Sequence, residues 1–316
     1  MDNSAPMRVA VVDIGTNSTR LLVAAVTNGK VRQIERRTNV TRLGEGVDKS
    51  GRLLDAAIER VLSTCADYRH LIDRHSVNRT VAVLTAAVRD AENGPELEAA
   101  LRKRFGFEAK TISGDREARL TFLGATNARP HPDRPILVVD IGGGSTEFVV
   151  GTRGEVGFHV STQVGSVRYT ERTLHSDPPT KEEMDECRVA IRSEIERSVP
   201  ADVRQSAGDG IAVAGTPTQF AAVDQQLEPY DPQQVDGYRL SLTSCERILA
   251  ELSSLPLEER RRVTGLHPDR APAIIAGGVI LVETMGAFGL DSVEASEHDI
   301  LEGAALDAAG AKIAPS

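Results

Sequence analysis

Two segments of the chain repeat one pattern of strand, glycine-rich turn and strand. Val9–Val23 reads VAVVDIGTNSTRLLV, and Ile136–Val150 reads ILVVDIGGGSTEFVV. At an offset of 127 residues the copies agree at eight positions, among them Asp13 and Asp140 at the end of each first strand. Successive amides in such a turn form a concave anion site, and a carboxylate beside it can hold a metal ion. The duplication predicts a phosphate site shared by two related lobes, whereas one copy alone would fit an ordinary turn equally well.

The residues of the two turns are small or polar, which lets a phosphate approach the backbone closely. We expect both turns to bind substrate phosphates through their amides. The residues concerned are Gly15, Thr16, Asn17 and Ser18 in the first turn and Gly142, Gly143, Gly144 and Ser145 in the second.

Two further glycine-rich stretches precede helical patterns. AGTPTQF begins at Ala214 and contains Thr216, and IIAGGVI spans Ile274–Ile280. Each is expected to be a turn that leads into a helix, where a phosphate or a nucleoside can contact the helix N-terminus. An ordinary helix start fits these two stretches equally well.

Charged residues near the turns are further candidates. Arg20, Arg89 and Arg270 lie in or beside glycine-rich or polar turns, and an arginine fork suits phosphate oxygens. For any one of them, an ordinary surface arginine is the more common case. In the stretch ISGDREARL, which starts at Ile112, Glu117 taken alone is a solvated acid in the first turn of a helix.

The composition excludes several classes of protein. The chain has 316 residues, 40% of them hydrophobic and 26% charged, so two globular domains of ordinary size are expected. The net charge of −9 argues against a nonspecific nucleic-acid or membrane partner, and 3% aromatic residues leave little for base stacking. The three cysteines lack a C-x-x-C pair and the N-terminus lacks the apolar core of a signal peptide. A cytoplasmic protein without a disulfide framework or structural zinc is therefore expected.

Hydrophobic periodicity predicts a similar order of elements in each half of the chain. After the first hairpin we expect a strand at Lys30–Arg37, a helix at Leu53–Asp73, a strand at Thr80–Leu84 and a helix near Pro95–Phe105. After the second hairpin we expect a strand near Glu155–Val160, a helix at Lys181–Ser198, a strand at Gly210–Val213, helices from Gln219 and from Thr243, and a last helix at about Glu302–Lys312.

This order predicts an α/β fold with two similar lobes, each a mixed β-sheet flanked by helices, and an active site in the cleft between them. The proline-rich stretch Asn127–Pro135 marks the expected boundary. We expect an N-terminal lobe at 1–127 and a C-terminal lobe at 128–300. The last helix, within 301–316, is amphipathic and can pack on either lobe, including the N-terminal one.

Together these motifs resemble known proteins. Paired strand–turn–strand phosphate motifs are typical of the superfamily of actin, sugar kinases, acetate kinase and the large chaperone ATPases, whose lobes are ribonuclease H-like. Within it, the chain resembles the exopolyphosphatase/guanosine pentaphosphate phosphatase family. The resemblance covers almost the whole chain and rests on DIGTNSTRLLV at Asp13, LGEGVD at Leu43, TAAVRDAEN at Thr85, ISGDREARL at Ile112, DIGGGSTE at Asp140, DPPT at Asp177, GTPTQFAA at Gly215, YDPQQVDG at Tyr230 and HPDRAPAIIAGG at His267.

The resemblance implies roles for single residues. It makes Glu117 the catalytic base, and it places three arginines near the phosphates or the nucleotide of the substrate: Arg20, Arg89 and Arg270. Many relatives have an acid where this chain has Arg116. A cation at that position would lower the pKa of the Glu117 carboxyl if the two side chains approached.

The resemblance also implies a cofactor. Asp140 and Glu147 are associated with a divalent cation in the family, with Asp13 close by. The expected ion is Mg²⁺, or alternatively Mn²⁺.

The predicted function is hydrolysis of the terminal phosphoanhydride of inorganic polyphosphate, in which Glu117 activates a water for in-line attack. The alternative substrate is guanosine pentaphosphate (pppGpp), a nucleotide of the stringent response; the few aromatic residues favour polyphosphate. A sensor that binds guanosine tetraphosphate, pentaphosphate or polyphosphate without hydrolysis is a second alternative, and an ATP-dependent small-molecule kinase is a third. A monomer and a homodimer both fit the sequence.

Overall fold

The computed structural model describes residues 6–127, 129, 134–152 and 155–310. These residues form two units, each with its own β-sheet. The first unit extends to residue 130 and includes the chain from Asp299 onward. The second unit extends from residue 131 to His298. Several residues of the predicted linker Asn127–Pro135, and the last two of the predicted helix Glu302–Lys312, lie outside the described residues.

The helices and strands alternate along most of the chain. In chain order they are β1 (Met7–Ile14), β2 (Ser18–Thr27), β3 (Lys30–Val40), α1 (Val47–Ser50), α2 (Asp55–Asp73), β4 (Arg79–Leu84), α3 (Ala86–Arg89), α4 (Gly94–Phe105), β5 (Glu108–Thr111), α5 (Gly114–Thr126), β6 (Ile136–Ile141), β7 (Thr146–Thr152), β8 (Glu155–Thr162), α6 (Ser166–Thr173), α7 (Lys181–Ser198), α8 (Ala201–Ser206), β9 (Asp209–Val213), α9 (Gly215–Asp224), α10 (Pro232–Val235), β10 (Arg239–Ser241), α11 (Leu242–Ser254), α12 (Leu257–Arg260), α13 (Ile274–Phe288), β11 (Ser292–Ser296) and α14 (Ile300–Ala308).

The sheet of the first unit has the strand order β3-β2-β1-β4-β5. β1, β2 and β3 are antiparallel neighbours, whereas β4 and β5 run parallel to β1. Helices cover both faces of this sheet, so β1 is buried continuously from Val9 to Ile14. One face packs against α2 and α4 through residues such as Val12 and Leu62. The other face packs against α5 and α14 through residues such as Val11 and Leu301.

Helices α5 and α14 cross at two glycines. A Cβ on Gly303 would overlap the backbone carbonyl of Leu120, and a Cβ on Gly124 would overlap the carbonyl of Asp299. The two backbones therefore touch, which only glycine allows at these positions. Although α14 follows the second unit in sequence, it completes the core of the first.

The second unit repeats this arrangement. Its sheet has the order β10-β11-β9-β6-β7-β8, in which β8-β7-β6-β9 matches β3-β2-β1-β4 in both order and direction. Helix α13 is buried along almost its whole length, as expected of a helix that is apolar on all sides. Gly277 lies against Thr216, and Gly278 lies against Phe220, so these two glycines let α13 pack closely on α9.

The predicted fold class is confirmed: each unit is a mixed sheet flanked by helices. Two details differ from the sequence prediction. Ile274–Ile280 begins a long helix and contains no turn, and α9 starts at Gly215, before the predicted start at Gln219. The short strands β5, β10 and β11 were not predicted, because each has too few residues to show a clear hydrophobic period. Helix α6 was not predicted either, although its eight residues are amphipathic.

Among the described residues, none of the helices combines the length and the apolar character that crossing a bilayer requires. Cys65, Cys187 and Cys245 are all buried free thiols.

We expect Gly303→Ala to lower the thermal unfolding midpoint by several degrees. The added methyl would meet backbone atoms of α5, which no side-chain rotation can relieve, and overpacking of this kind costs about 1–3 kcal/mol. Gly286→Ala in α13 is the matched control, because a Cβ there meets nothing within 4 Å. Circular dichroism would measure both midpoints, and an unchanged midpoint for Gly303→Ala would contradict the close crossing.

Candidate active site

The two glycine-rich turns are closed in the same way. The Gly15 amide donates to the Ser18 carbonyl at 3.0 Å, and at the equivalent positions the Gly142 amide donates to the Ser145 carbonyl at 3.0 Å. Each turn follows the first strand of its hairpin, β1 or β6. The duplication seen in the sequence is therefore also a duplication of backbone geometry.

The carbonyls at the tip of the first turn are tied to the segment after β3. The Thr16 carbonyl accepts a hydrogen bond from the Gly44 amide at 2.8 Å. The Asn17 carbonyl accepts from the amides of Thr41 and Arg42 at 3.0 and 2.9 Å. These bonds hold both carbonyls toward the protein.

The carbonyls at the tip of the second turn are tied to the start of α6. The Gly143 carbonyl accepts from the amides of Val167 and Arg168 at 2.9 and 3.1 Å. The Gly144 carbonyl accepts from the Arg168 guanidinium Nε at 2.8 Å. The segments that follow the third strand of each unit thus perform the same task, although their sequences differ.

The amides of the turns are left for a ligand. The part of the chain that the structure describes gives no acceptor to the amides of Thr16 and Asn17, or to those of Gly143, Gly144 and Ser145. A peptide whose carbonyl is fixed on one side presents its N–H group to the other, so each turn offers several donors together. This is the arrangement that binds a phosphate group.

A glycine supports each turn from behind. A Cβ on Gly44 would overlap the Thr16 side chain, and a Cβ on Gly165 would overlap the backbone of Gly143 and Gly144. In the sequence, Gly44 stands out only as part of the LGEGVD motif, and Gly165 was not selected. Their shared position, after the third strand of each hairpin unit, is the only signal that the sequence carries.

The aspartates that end β1 and β6 face different partners. In the antiparallel register Asp13 lies opposite Arg20, whereas Asp140 lies opposite Glu147. Side chains opposite each other share one face of the sheet, with Cβ atoms about 4.5–5.5 Å apart. The charges of Asp13 and Arg20 offset each other, whereas Asp140 and Glu147 place two acids side by side.

Asp13 and Arg20 form a buried ion pair. The Arg20 Nε and Nη2 atoms lie 2.8 and 2.7 Å from Asp13 Oδ2, and Arg20 also binds Asp299, the residue before α14. Burial raises the pKa of the Asp13 carboxyl above its ordinary value, while the guanidinium of Arg20 opposes that shift. Asp299 was not selected from the sequence, although Asp299 and Glu302 have the spacing of a capping box at the start of α14.

Asp140 and Glu147 are both buried, at 7% and 1% exposure. The Ser161 hydroxyl donates to Glu147 Oε1 at 2.7 Å. Within the described ranges, no group of three or more His, Cys, Asp or Glu side chains has the geometry of a metal site. A pair of carboxylates nevertheless suits Mg²⁺, which usually binds one or two carboxylates and takes its other ligands from water and substrate phosphates.

Glu117 lies in the first turn of α5 and is buried, in contrast to the exposed acid that its local sequence indicates. Arg89 Nη1 donates to Glu117 Oε2 at 2.9 Å and to the Ile112 carbonyl at 3.1 Å. Leu84 lies opposite Ile14 in the sheet, so β4 and the α3 helix that carries Arg89 end at the same sheet edge as the first turn.

Arg116 points its charge away from Glu117. Its Nη2 atom lies 2.5 Å from Asp307 Oδ1 in α14. The cation next to the predicted base is therefore paired with another carboxylate, while Glu117 binds Arg89.

Thr216 and Arg270 lie at the start of α9. Thr216 is its second residue, and the Arg270 guanidinium lies against Gly215 so closely that a Cβ there would overlap it. Ala214, just before the helix, has φ 71° and ψ −169°, a conformation almost confined to glycine and typical of functional sites. Val213 lies opposite Asp140, so α9 starts at the same sheet edge as the second turn.

The predicted site residues thus form one group in each unit. In the first unit they are Asp13, the turn from Gly15 to Ser18, Arg20, Arg89 and Glu117; in the second they are Asp140, the turn from Gly142 to Ser145, Glu147, Thr216 and Arg270.

A family model described as the Ppx/GppA phosphatase family matches residues 22–311 of the chain. The chain belongs to this family. Exopolyphosphatase 2 of Mycobacterium tuberculosis is 38% identical to it over 96% of this chain and 99% of that protein. Two solved structures are also similar. An exopolyphosphatase-like protein is 36% identical to this chain with a TM-score of 0.88, and the match covers 95% of this chain and 98% of that protein. A Ppx/GppA protein of Aquifex aeolicus is 32% identical with a TM-score of 0.81, and the match covers 96% of this chain and 97% of that protein.

Membership in the Ppx/GppA phosphatases confirms the resemblance found in the sequence. It also confirms the prediction that the chain is an enzyme of the phosphoanhydride hydrolase type. The roles of the individual site residues stay predictions.

For this phosphatase, we expect Gly165→Ala to reduce turnover on the order of 100-fold, since small misplacements of binding groups have effects of that size. The methyl would displace the backbone of the second turn, whereas the φ of −140° at Gly165 is open to alanine. Gly157→Ala in β8 is the control, because its Cβ would make only an ordinary contact of 3.5 Å. Full turnover of Gly165→Ala in a phosphate-release assay would show that the turn does not need this support.

Proposed function

We propose that the chain is an exopolyphosphatase that hydrolyses the terminal phosphoanhydride of inorganic polyphosphate and releases orthophosphate. The observation that carries the proposal is the pair of turns whose carbonyls are bound on one side and whose amides lack acceptors among the described residues. The name of the Mycobacterium tuberculosis relative supports the choice of substrate.

The turns would bind the phosphates at the end of the chain. Each offers a set of backbone donors that needs no rearrangement when the anion arrives, which is the form of stabilisation that a reacting phosphoryl group requires. Because transition states of phosphoryl transfer are loose, positioning and charge stabilisation provide most of the catalysis.

Asp140 and Glu147 would hold Mg²⁺. Two buried acids that share a face of the sheet repel each other, and a divalent cation would offset that repulsion. When bound, the ion would neutralise charge on the phosphate oxygens. Asp13 was also predicted as a metal residue, but Arg20 already supplies its counter-charge, so we propose the metal site at Asp140 and Glu147 alone.

Glu117 would act as the base. Its ion pair with Arg89 holds the carboxylate in one orientation, from which it would accept a proton from water. The water oxygen would form the new P–O bond as the bond to the next phosphate breaks. We therefore assign Arg89 to orienting Glu117 as well as to the phosphate binding predicted from the sequence.

The first test is orthophosphate release by the purified protein in Mg²⁺, with Glu117→Gln beside the wild type. We expect the variant to lose roughly 10²- to 10⁴-fold in turnover, the usual contribution of a general base. The amide keeps the shape of the side chain and can still accept a hydrogen bond from Arg89. Asp115→Asn is the matched control, since it makes the same change in the same helical turn at an exposed position.

The substrates compared should be long polyphosphate, tripolyphosphate and guanosine pentaphosphate. Faster hydrolysis of guanosine pentaphosphate than of polyphosphate would identify the nucleotide as the substrate. Binding without release, in a folded wild-type protein, would favour the sensor. ATP consumption that depends on an acceptor would favour the kinase.

A second test concerns the metal. Glu147→Gln should raise the Mg²⁺ concentration at half-maximal activity at least about tenfold, a loss seen even for residues that only support a metal ligand. Glu155→Gln, at the exposed start of β8 in the same sheet, is the control. Titration of Mg²⁺ in the phosphate-release assay measures both, and an unchanged requirement in Glu147→Gln would remove this residue from the metal site.

A further inference from the structure

Arg168 makes an unusual contact with the second turn. It is the third residue of α6, and besides its amide bond to Gly143 it donates a guanidinium hydrogen bond to the Gly144 carbonyl, at 2.8 Å. Neither its local sequence nor any predicted role singled it out.

The bonded carbonyl belongs to the same peptide unit as the Ser145 amide. A charged donor on the oxygen of a peptide draws electron density from its N–H group and makes that group a stronger donor. The Ser145 amide is one of those without an acceptor in the part of the chain that the structure describes.

Among the described residues, no charged side chain donates to the equivalent carbonyl of the first turn. The equivalent carbonyl, that of Asn17, accepts from two neutral backbone amides, those of Thr41 and Arg42. The two copies of the turn therefore differ in whether a charged group donates directly to this carbonyl. In the first unit the Arg60 guanidinium donates one step further back, to the carbonyls of Thr41 and Arg42.

We propose that Arg168 is a positioning residue that orients and polarises the Gly144–Ser145 peptide for binding a substrate phosphate. The inference rests on the proposed function, because it assumes that the second turn binds phosphate. It makes the turn from Gly142 to Ser145 the stronger anion site of the two. Arg168 acts through the peptide and needs no contact with the substrate.

The test compares R168Q, R168K and R172Q with the wild type. Arg172 lies one turn later on α6, where its guanidinium packs over the Tyr169 ring at 5.9 Å, so R172Q removes the same charge without touching the turn. Calorimetry with inorganic phosphate gives the Kd, orthophosphate release from tripolyphosphate gives KM and kcat, and thermal unfolding reports stability.

We expect R168Q to weaken phosphate binding and to raise KM about tenfold, because a charge-assisted hydrogen bond is roughly twice as strong as a neutral one. R168K should retain most of the affinity, since its ammonium can donate to the same carbonyl. R172Q should stay within about twofold of the wild type, as expected of a charge outside the turn.

Three results would overturn the inference: an R168Q affinity within twofold of the wild type, an equal loss in R172Q, or a loss in R168K as large as in R168Q. Wild-type protein that binds phosphate but releases none from any substrate would refute the proposed function, and the comparison of Kd values would still test Arg168. Wild-type protein that binds no phosphate would refute both.

Discussion

A carbonyl that is already hydrogen-bonded cannot turn toward a ligand, and this constraint organises both units of the phosphatase. In the first turn the carbonyls of Thr16 and Asn17 are bound by the segment after β3, and in the second those of Gly143 and Gly144 are bound by α6. The amides then face away from the protein without any conformational change. Gly44 and Gly165 permit the close approach, so two residues without side chains determine where the donors point.

Among the positions at which the two copies of the hairpin differ, one changes the charge: Arg20 in the first copy corresponds to Glu147 in the second. Asp13 faces Arg20 and Asp140 faces Glu147, so an internal ion pair in the first unit corresponds to two acids in the second. The acidic pair is where we propose the Mg²⁺ site, whereas the first unit carries the ion pair of Glu117 and Arg89 beside its turn.

Features that depend on local sequence could be predicted, and features that depend on distant partners could not. The turns, their aspartates and most strands are encoded in short runs, and the sequence located them correctly. Glu117 is different, because its burial depends on Arg89, which is far away in sequence. Gly277 and Gly278 suggested a turn, but their absent side chains are needed to pack one helix on another. The local sequence of Asp299 indicates only the start of a helix, through its spacing to Glu302, and that of Arg168 indicates no role.

Helix α14 has a consequence for how the chain folds as it is made. The first unit needs residues from both ends of the chain, and Leu301, Ala304 and Ala305 cover the face of the sheet that includes Val9 and Val11. Synthesis at about 5–20 residues per second implies a delay of roughly ten to forty seconds between the two parts. During that time the apolar face lacks its last helix, and the second unit has received all its elements before α14 is made. The half that emerges first from the ribosome is thus the half that finishes folding last.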